Sequence, residues 1–409
     1  MKRIVVNGGK ELAGDIIVSG SKNASLPIIF ACILMDGVSE IENLPDIGDV
    51  RVALDILRSL GAVIERRIGV TYIDTRHLTY VAPDPNLVEK IRASTYLIGS
   101  CLSRFGRCPI MSFGGCNFSL RPIDMHLYAA EAMGACLDNN VLISYGLRGG
   151  IIDLKLPSVG ATVNSILLAA SAEGASVIRG CAIEPHIDSL IDFLNSAGGD
   201  IIRRGREIFV RGRGLHGGKI KVIGDMIESG SYLALSLMTG CGLRVLNSPV
   251  SDMQSVFDNF VMLGADINVS DDAVSVTLDD GIYTTVVASH YPGFPTDLQP
   301  IFAPLLAYYR GGKIIDNVWK SRFGYLHSLE KFSVKYKVDS NSAEIYDSNI
   351  KNGCSFATDL RGGFAALMCA LSSDGISEIA SADRILRGYE RLEEKLKMLG
   401  AEIKINNDN

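Results

Sequence analysis

Tryptophan occurs once in this 409-residue chain, and all aromatic residues together make up 7%. Long apolar runs are scarce too. The longest, LPIIFACILM, falls well short of the roughly 18 residues that would suggest a membrane span. Charges of one sign are nowhere gathered into an arm or tail, and a formal net charge of −6 leaves no electrostatic footprint for nucleic acid. The nine cysteines are scattered, odd in number and without zinc-ribbon spacing, which excludes a disulfide framework and a structural zinc site. The six histidines include no helical pair at ligand spacing, and no glycine loop matches a P-loop or a dinucleotide fingerprint. The opening MKRIVVNGGKELAG has only a three-residue apolar run before Asn7, unlike a secretory signal. The expectation is a reduced, cytoplasmic, monomeric protein with no metal, no cofactor, and no nucleic-acid or membrane partner.

What is present is a globular composition, 47% hydrophobic and 21% charged, in a chain long enough for two domains. Six apolar, helix-like runs each end near a glycine and pass into a β-like run. The glycines are Gly37, Gly106, Gly174, Gly240, Gly311 and Gly375, and their spacings by subtraction are 69, 68, 66, 71 and 64. Such a period marks an internal repeat. A second helix in most units closes on a shared phrase, as in ILRSLGAVIE, FVMLGADINV and LKMLGAEIKI, where glycine suits a left-handed helix end. The fifth unit, SLEKFSVKYKVD, lacks that glycine. A unit of about 70 residues is marginal alone, so three units packed together per domain are expected, with apolar helices inside and sheets outside. The boundary is expected near GGKIKVIGDMIESG, giving one domain of residues 22–223 and a second of 1–21 plus 224–409. A cleft between them is the default ligand site.

The repeat also serves as a control for reading chemistry. At the starts of the first helices stand GSKNAS, IRASTY, SVGATVN, IESGSY, FPTDLQ and TDLRGG, where small and hydroxyl residues follow from capping. Lys22, Arg92 and Arg361 oppose the helix dipole there, and their presence fits a shared anion such as a phosphate or carboxylate. The loop before each second helix carries Cys116 and Arg121, Arg322, and Arg384 with Arg387. Several residues read in two ways. Any one of these arginines can be a solvated loop residue or an anion ligand. Cys116, after Gly114-Gly115 and outside any apolar period, is either a structural thiol or a reactive one favoured by Arg121. Asp297 is either a helix-start carboxylate or a general base, Asp359 has the same two readings beside Arg361, where a structural ion pair comes first, and His126 is a capped helix-face residue or a contact to a polar ligand. Cys32, Cys101, Cys136 and Cys369 read as small core residues.

Taken together and in order, GSKNASLPI, GGC…RPIDMH, SVGATVNSI, YPGFPTDLQ, TDLRGG and RGYERLEEKLKMLGA make the whole chain resemble the UDP-N-acetylglucosamine enolpyruvyl transferase family. The resemblance implies an α/β fold, a two-domain inside-out α/β barrel of six βαβαββ repeats. It implies transfer of the enolpyruvyl group of phosphoenolpyruvate to the 3-hydroxyl of UDP-N-acetylglucosamine with release of phosphate, the first committed step of peptidoglycan synthesis. By match to the family motifs, Cys116 is the acid that protonates C3 of the donor and the thiol alkylated by fosfomycin, and Asp297 is the base for the sugar hydroxyl. Lys22, Arg121 and Arg387 match the cations on the phosphate, and Arg322 and Arg361, with Asp359 beside them, those near the carboxylate. Asn23, Arg92, Pro122, Ile123, Asp124, Met125, His126, Ser158, Val159, Gly160 and Val318 match sugar-nucleotide contacts. The chain departs from the family pattern at Ser119, where a glycine is usual, and at Leu156-Pro157, where some members have a lysine. Two rivals follow: a paralogue acting on another uridine nucleotide such as uridine monophosphate, and a non-catalytic sugar-nucleotide-binding regulator. The shikimate-branch synthase is set aside because GSKNAS and GGC replace its own motifs.

Overall fold

The computed structural model describes residues 2–114, 122–270 and 273–407. Gly20–Ile223 forms one compact unit, and the residues up to Ser19 together with those from Gly224 onward form the other. Among the described residues there are six small sheets, five of four strands and one of three.

The third repeat shows the unit in one uninterrupted run. Strand Ile151–Asp153 leads into helix Val159–Ser171, then strand Ala175–Arg179, helix Pro185–Ser196, and the hairpin Asp200–Arg204 and Glu207–Arg211. The first two strands are parallel, as a helical crossover requires, and the hairpin adds antiparallel partners. Helix Val159–Ser171 starts because Ser158 accepts a hydrogen bond from the Ala161 N–H, and it is buried continuously from Ala161 to Ala170. Helices Lys22–Ala31, Met226–Met238 and Leu360–Ser372 are likewise buried nearly all round, as their lack of a polar face dictates. Second helices such as Gly48–Ser59 bury only one stripe, with Val50, Ala53, Leu54 and Leu57 at helical spacing.

The glycines of the shared phrase, Gly61, Gly134, Gly198, Gly264 and Gly400, all have φ between 90° and 102°. In the fifth unit Ser333 takes the equivalent place with φ of 68°, so the turn survives without its glycine at the expense of a strained backbone. Ser333→Gly is therefore expected to stabilise the protein by about 1 kcal/mol, read as a higher urea midpoint at unchanged slope. Of the six period-marking glycines, Gly37 alone lacks a positive φ; an added Cβ there would lie 2.4 Å from the Gly217 nitrogen, so close backbone approach explains it.

Two strands are exchanged between the units' sequence neighbourhoods. Ala13–Ile17, which precedes helix Lys22–Ala31, pairs in parallel with Gly242–Leu246 of the fourth repeat. Lys219–Lys221, which precedes helix Met226–Met238, pairs in parallel with Val38–Glu42 of the first. Lys2–Gly8 lies between Gly375–Ala380 and Glu402–Asn407. A buried polar knot joins the two stretches of chain, up to Ser19 and from Gly224, that make up one unit. Lys395 Nζ donates to Glu228 Oε1 at 2.7 Å and to Ser19 Oγ at 2.8 Å, while the Ser19 N–H donates to Glu228 Oε2 at 2.9 Å. The Asp225 N–H donates to the Ser19 carbonyl at 3.0 Å, so both stretches of that unit are tied to one ion pair.

Cys32, Cys101 and Cys369 are core residues, but Cys136 is not. It is exposed on Cys136–Asp138, an edge strand of the three-stranded sheet, because the helix ahead of it ends at Ala132 and the glycine turn at Gly134 carries it out of the core. Among the described residues, no helix is long and apolar enough to cross a membrane, and no cluster of three potential metal ligands occurs.

Candidate active site

Within the unit of residues 2–19 and 224–407, three of the residues singled out from sequence come into contact. Arg322 Nη1 lies 2.9 Å from Asp297 Oδ1, and Arg361 Nε lies 3.5 Å from Asp297 Oδ2. Both guanidinium side chains are buried, 5% and 2% exposed, whereas the Asp297 carboxylate is 29% exposed. Two buried cations thus share one carboxylate that still reaches solvent. The Arg361 nitrogens find no hydrogen-bond acceptor among the described residues. Burial works against the Arg361 charge, but Tyr389, Asp297 and Asp225 outweigh it and its pKa is raised. The guanidinium lies over the Tyr389 ring at 5.3 Å, and that ring stacks on Phe364 at 4.3 Å while its hydroxyl meets Ser231 Oγ at 2.8 Å. The cation is therefore held by an aromatic face and an ion pair, with its donor groups left available to an anion.

Asp359 and Arg361 do not form the ion pair considered from their spacing. Asp359 Oδ1 accepts from the N–H groups of Arg361 and Gly362 at 2.9 and 3.1 Å and so caps helix Leu360–Ser372, while the carboxylate facing Arg361 is Asp297. Asp359 is thus committed to shaping the helix start from which Arg361 projects. Arg384 donates to the carbonyls of Ala357 and Thr358, a structural tie rather than an open cation. Arg387 is half-buried at the end of the 3-10 turn Ala382–Arg387.

Sequence reasoning passed over Asp316, a buried residue at the end of strand Gly312–Asp316. Its Oδ1 accepts from the N–H groups of Val318 and Trp319, each at 2.8 Å, and its Oδ2 accepts from Thr296 Oγ1 at 2.6 Å. Thr296 Oγ1 in turn accepts from Arg322 Nη1 at 3.1 Å. One carboxylate therefore fixes the loop carrying Val318 and Arg322 and the residue before Asp297. An acidic residue closing an apolar strand, as in GKIID, was the only available signal.

Within Gly20–Ile223, Lys22 is the first residue of helix Lys22–Ala31, whose cap Ser21 accepts from the Ala24 N–H. Its Nζ lies 3.4 Å from Asp49 Oδ2, a carboxylate in the first turn of Gly48–Ser59 that offsets a cation at an unfavourable helix end. Asn23 follows Lys22 and is half-buried. Arg92 opens the 3-10 turn Arg92–Tyr96, and burial lowers its pKa from the usual arginine value. Helix Asp124–Ala132 carries Asp124, Met125 and the buried His126, with Pro122 and Ile123 just before it. Ser158, Val159 and Gly160 form the start of helix Val159–Ser171, and the His126 ring lies so close that a Cβ on Gly160 would be 2.9 Å from its Cε1. Burial, then Arg92, push His126 down to about 4, so the ring is neutral near pH 7. Cys116 and Arg121 lie outside the described residues.

The EPSP synthase family (3-phosphoshikimate 1-carboxyvinyltransferase) matches residues 6–396. Among curated proteins, a UDP-N-acetylglucosamine 1-carboxyvinyltransferase of Caldanaerobacter subterraneus is 37% identical over 98% of this chain and 99% of its own. Proteins of the same name from Prosthecochloris aestuarii and Streptococcus pneumoniae are 36% and 35% identical, covering all of this chain and at least 99% of theirs. In fold the chain is similar to the enolpyruvyl transferase NikO of Streptomyces tendae, with a TM-score of 0.90 at 24% identity over 100% of this chain and 99% of that one. It is also similar to EPSP synthase of Acinetobacter baumannii, with a TM-score of 0.75 at 18% identity over the full length of both.

Proposed function

Because the chain belongs to the EPSP synthase family, and within it to the UDP-N-acetylglucosamine 1-carboxyvinyltransferases, we propose that it transfers the enolpyruvyl group of phosphoenolpyruvate to the 3-hydroxyl of UDP-N-acetylglucosamine, a step of peptidoglycan synthesis. The observation that carries this reading is the pair of buried guanidiniums of Arg322 and Arg361 around the single carboxylate of Asp297. Two buried guanidiniums on neighbouring elements are suited to a donor carboxylate, and Asp297 is a base already held beside them.

The reaction is an addition followed by an elimination. Asp297 takes the proton of the sugar 3-hydroxyl as its oxygen bonds to C2 of phosphoenolpyruvate, and the Cys116 thiol supplies the proton that C3 gains. Loss of phosphate from C2 with removal of a C3 proton then restores the double bond as an enol ether. Lys22, Arg121 and Arg387 hold the phosphate; Arg322 and Arg361 hold the carboxylate and stabilise charge that develops during addition. Asn23, Arg92, the segment from Pro122 to His126, Ser158 to Gly160, and Val318 meet the sugar nucleotide. Cys116 has to stay protonated near cations that favour its thiolate, so water exclusion around the loop is part of its tuning.

Phosphate release measured with phosphoenolpyruvate and each candidate acceptor tests the reading. Release is expected with UDP-N-acetylglucosamine, and Cys116→Ser is expected to lose both turnover and covalent labelling by fosfomycin. Release with uridine monophosphate instead would reassign the acceptor, and no release with any acceptor would point to a regulator.

A further inference from the structure

Asn164 is a polar residue in the middle of an apolar interior helix, fully buried, in a stretch reading ATVNSILLAA. Its hydrogen bonds account for every polar atom it has. Oδ1 accepts from the Gly99 N–H at 2.7 Å, a backbone donor that cannot change roles. That contact fixes which end of the amide is which. Nδ2 is therefore a donor only, and it meets the Thr95 carbonyl at 3.1 Å, His126 Nδ1 at 2.6 Å and, at the longer distance of 3.5 Å, the Gly160 carbonyl one turn back. A histidine nitrogen that faces an N–H donor must be the unprotonated one. The remaining proton of a neutral ring then sits on Nε2, on the edge that lies over Gly160, where an added Cβ would be 3.2 Å from that nitrogen.

We propose that Asn164 is a positioning residue that locks His126 in its neutral, Nε2-protonated form, so that the ring offers the sugar-nucleotide acceptor a hydrogen-bond donor without a positive charge. This rests on the reading above that His126 and Ser158 to Gly160 meet the acceptor. The chemistry such a donor recognises is a carbonyl or phosphate oxygen. A charged imidazolium is disfavoured twice over: its Nδ1–H would point at the Asn164 amide hydrogens, and the ring is buried. The charged groups acting on the ring are Arg92, on the 3-10 turn Arg92–Tyr96, and Asp124, on its own helix. From Ser158 to Ser165 the helix facing it contributes no titratable side chain.

The test uses the full-length protein labelled with 15N-histidine. The His126 resonance, assigned by its loss in His126→Gln, is expected to show a protonated Nε2 and an unprotonated Nδ1, unchanged between about pH 5.5 and 8. Asn164→Asp reverses the polarity of the contact: the carboxylate accepts Nδ1–H, so the neutral ring loses its Nε2 proton. The acceptor KM is then expected to rise about tenfold at high pH and to recover as the pH falls and both nitrogens become protonated, with the donor KM unchanged. No such pH dependence is expected of the unaltered protein. Asn164→Leu, which leaves the Gly99 N–H unpaired, reports the folding cost alone through its urea midpoint. A wild-type ring protonated on Nδ1, or an Asn164→Asp protein whose acceptor KM stays unchanged across pH, would overturn the proposal. The spectrum needs no turnover, so it stands or falls separately from the acceptor assignment.

Discussion

Asp297→Asn is expected to lower kcat by about 10²- to 10⁴-fold without weakening binding of phosphoenolpyruvate. Asparagine keeps the shape and the acceptor oxygen that meets Arg322 but loses the negative charge and the ability to take a proton. Arg322 and Arg361, both buried, then lose the countercharge that Asp297 gives them. A donor carboxylate becomes the better partner for them, so the donor KM is expected to stay level or fall. That split separates a base from a structural carboxylate, because a merely structural loss would loosen both arginines and raise the donor KM. The acid-side limb of the pH–rate profile should flatten in the same variant. A kcat within about threefold of the parent would remove Asp297 from the chemistry.

The largest stability effect is expected at Lys395. The Glu228 carboxylate is 2% exposed and Lys395 14%, and burial pushes the Glu228 pKa up despite the lysine beside it. Lys395→Met would leave Glu228 buried without a cation, at a cost of about 3–5 kcal/mol. The measurement is the urea midpoint of the transition. Adding Glu228→Gln should recover most of the loss, since an amide can keep the Ser19 N–H contact without an unpaired charge. A cost below about 1 kcal/mol, the value of an exposed pair, would mean that water reaches this knot.

The repeat and its elements were legible because they rest on local rules. Five copies of one phrase place glycine at a left-handed helix end, and each of those glycines adopts that conformation. The all-apolar runs became interior helices for the same reason that half-apolar ones became outer helices. Cys136 was misread because its apolar neighbours suggested a core helix, whereas Gly134 had already turned the chain outward. The candidate site was legible as a set of residue types but not as a set of contacts. Asp297 and Arg322 come from the fifth repeat and Arg361 from the sixth, and nothing in their spacing says that one carboxylate bridges two arginines. Asp316, Tyr389 and Asn164 were missed for a related reason. Each works by orienting another side chain, so its meaning lies in partners distant in the chain. Asn164 had left a trace, since a lone amide inside an apolar helix must find partners to be stable there.

The placement of Ala13–Ile17 and Lys2–Gly8 bears on how the protein is made. Every strand of the three sheets in Gly20–Ile223 is encoded between residues 38 and 221, so that body can complete itself while the ribosome is still at work. The two opening strands are synthesised earlier still, yet Ala13–Ile17 must wait for Gly242–Leu246, and Lys2–Gly8 for Glu402–Asn407. At about 5–20 residues per second, those delays are roughly 10–45 s and 20–80 s. During that interval Ile4, Val6 and Ile16, buried in the finished protein, hang from a nascent chain with nothing to pair against. Among the described strands, Lys2–Gly8 thus has the longest exposure to misassembly, and a chaperone that shields it should matter more than one that shields a later strand.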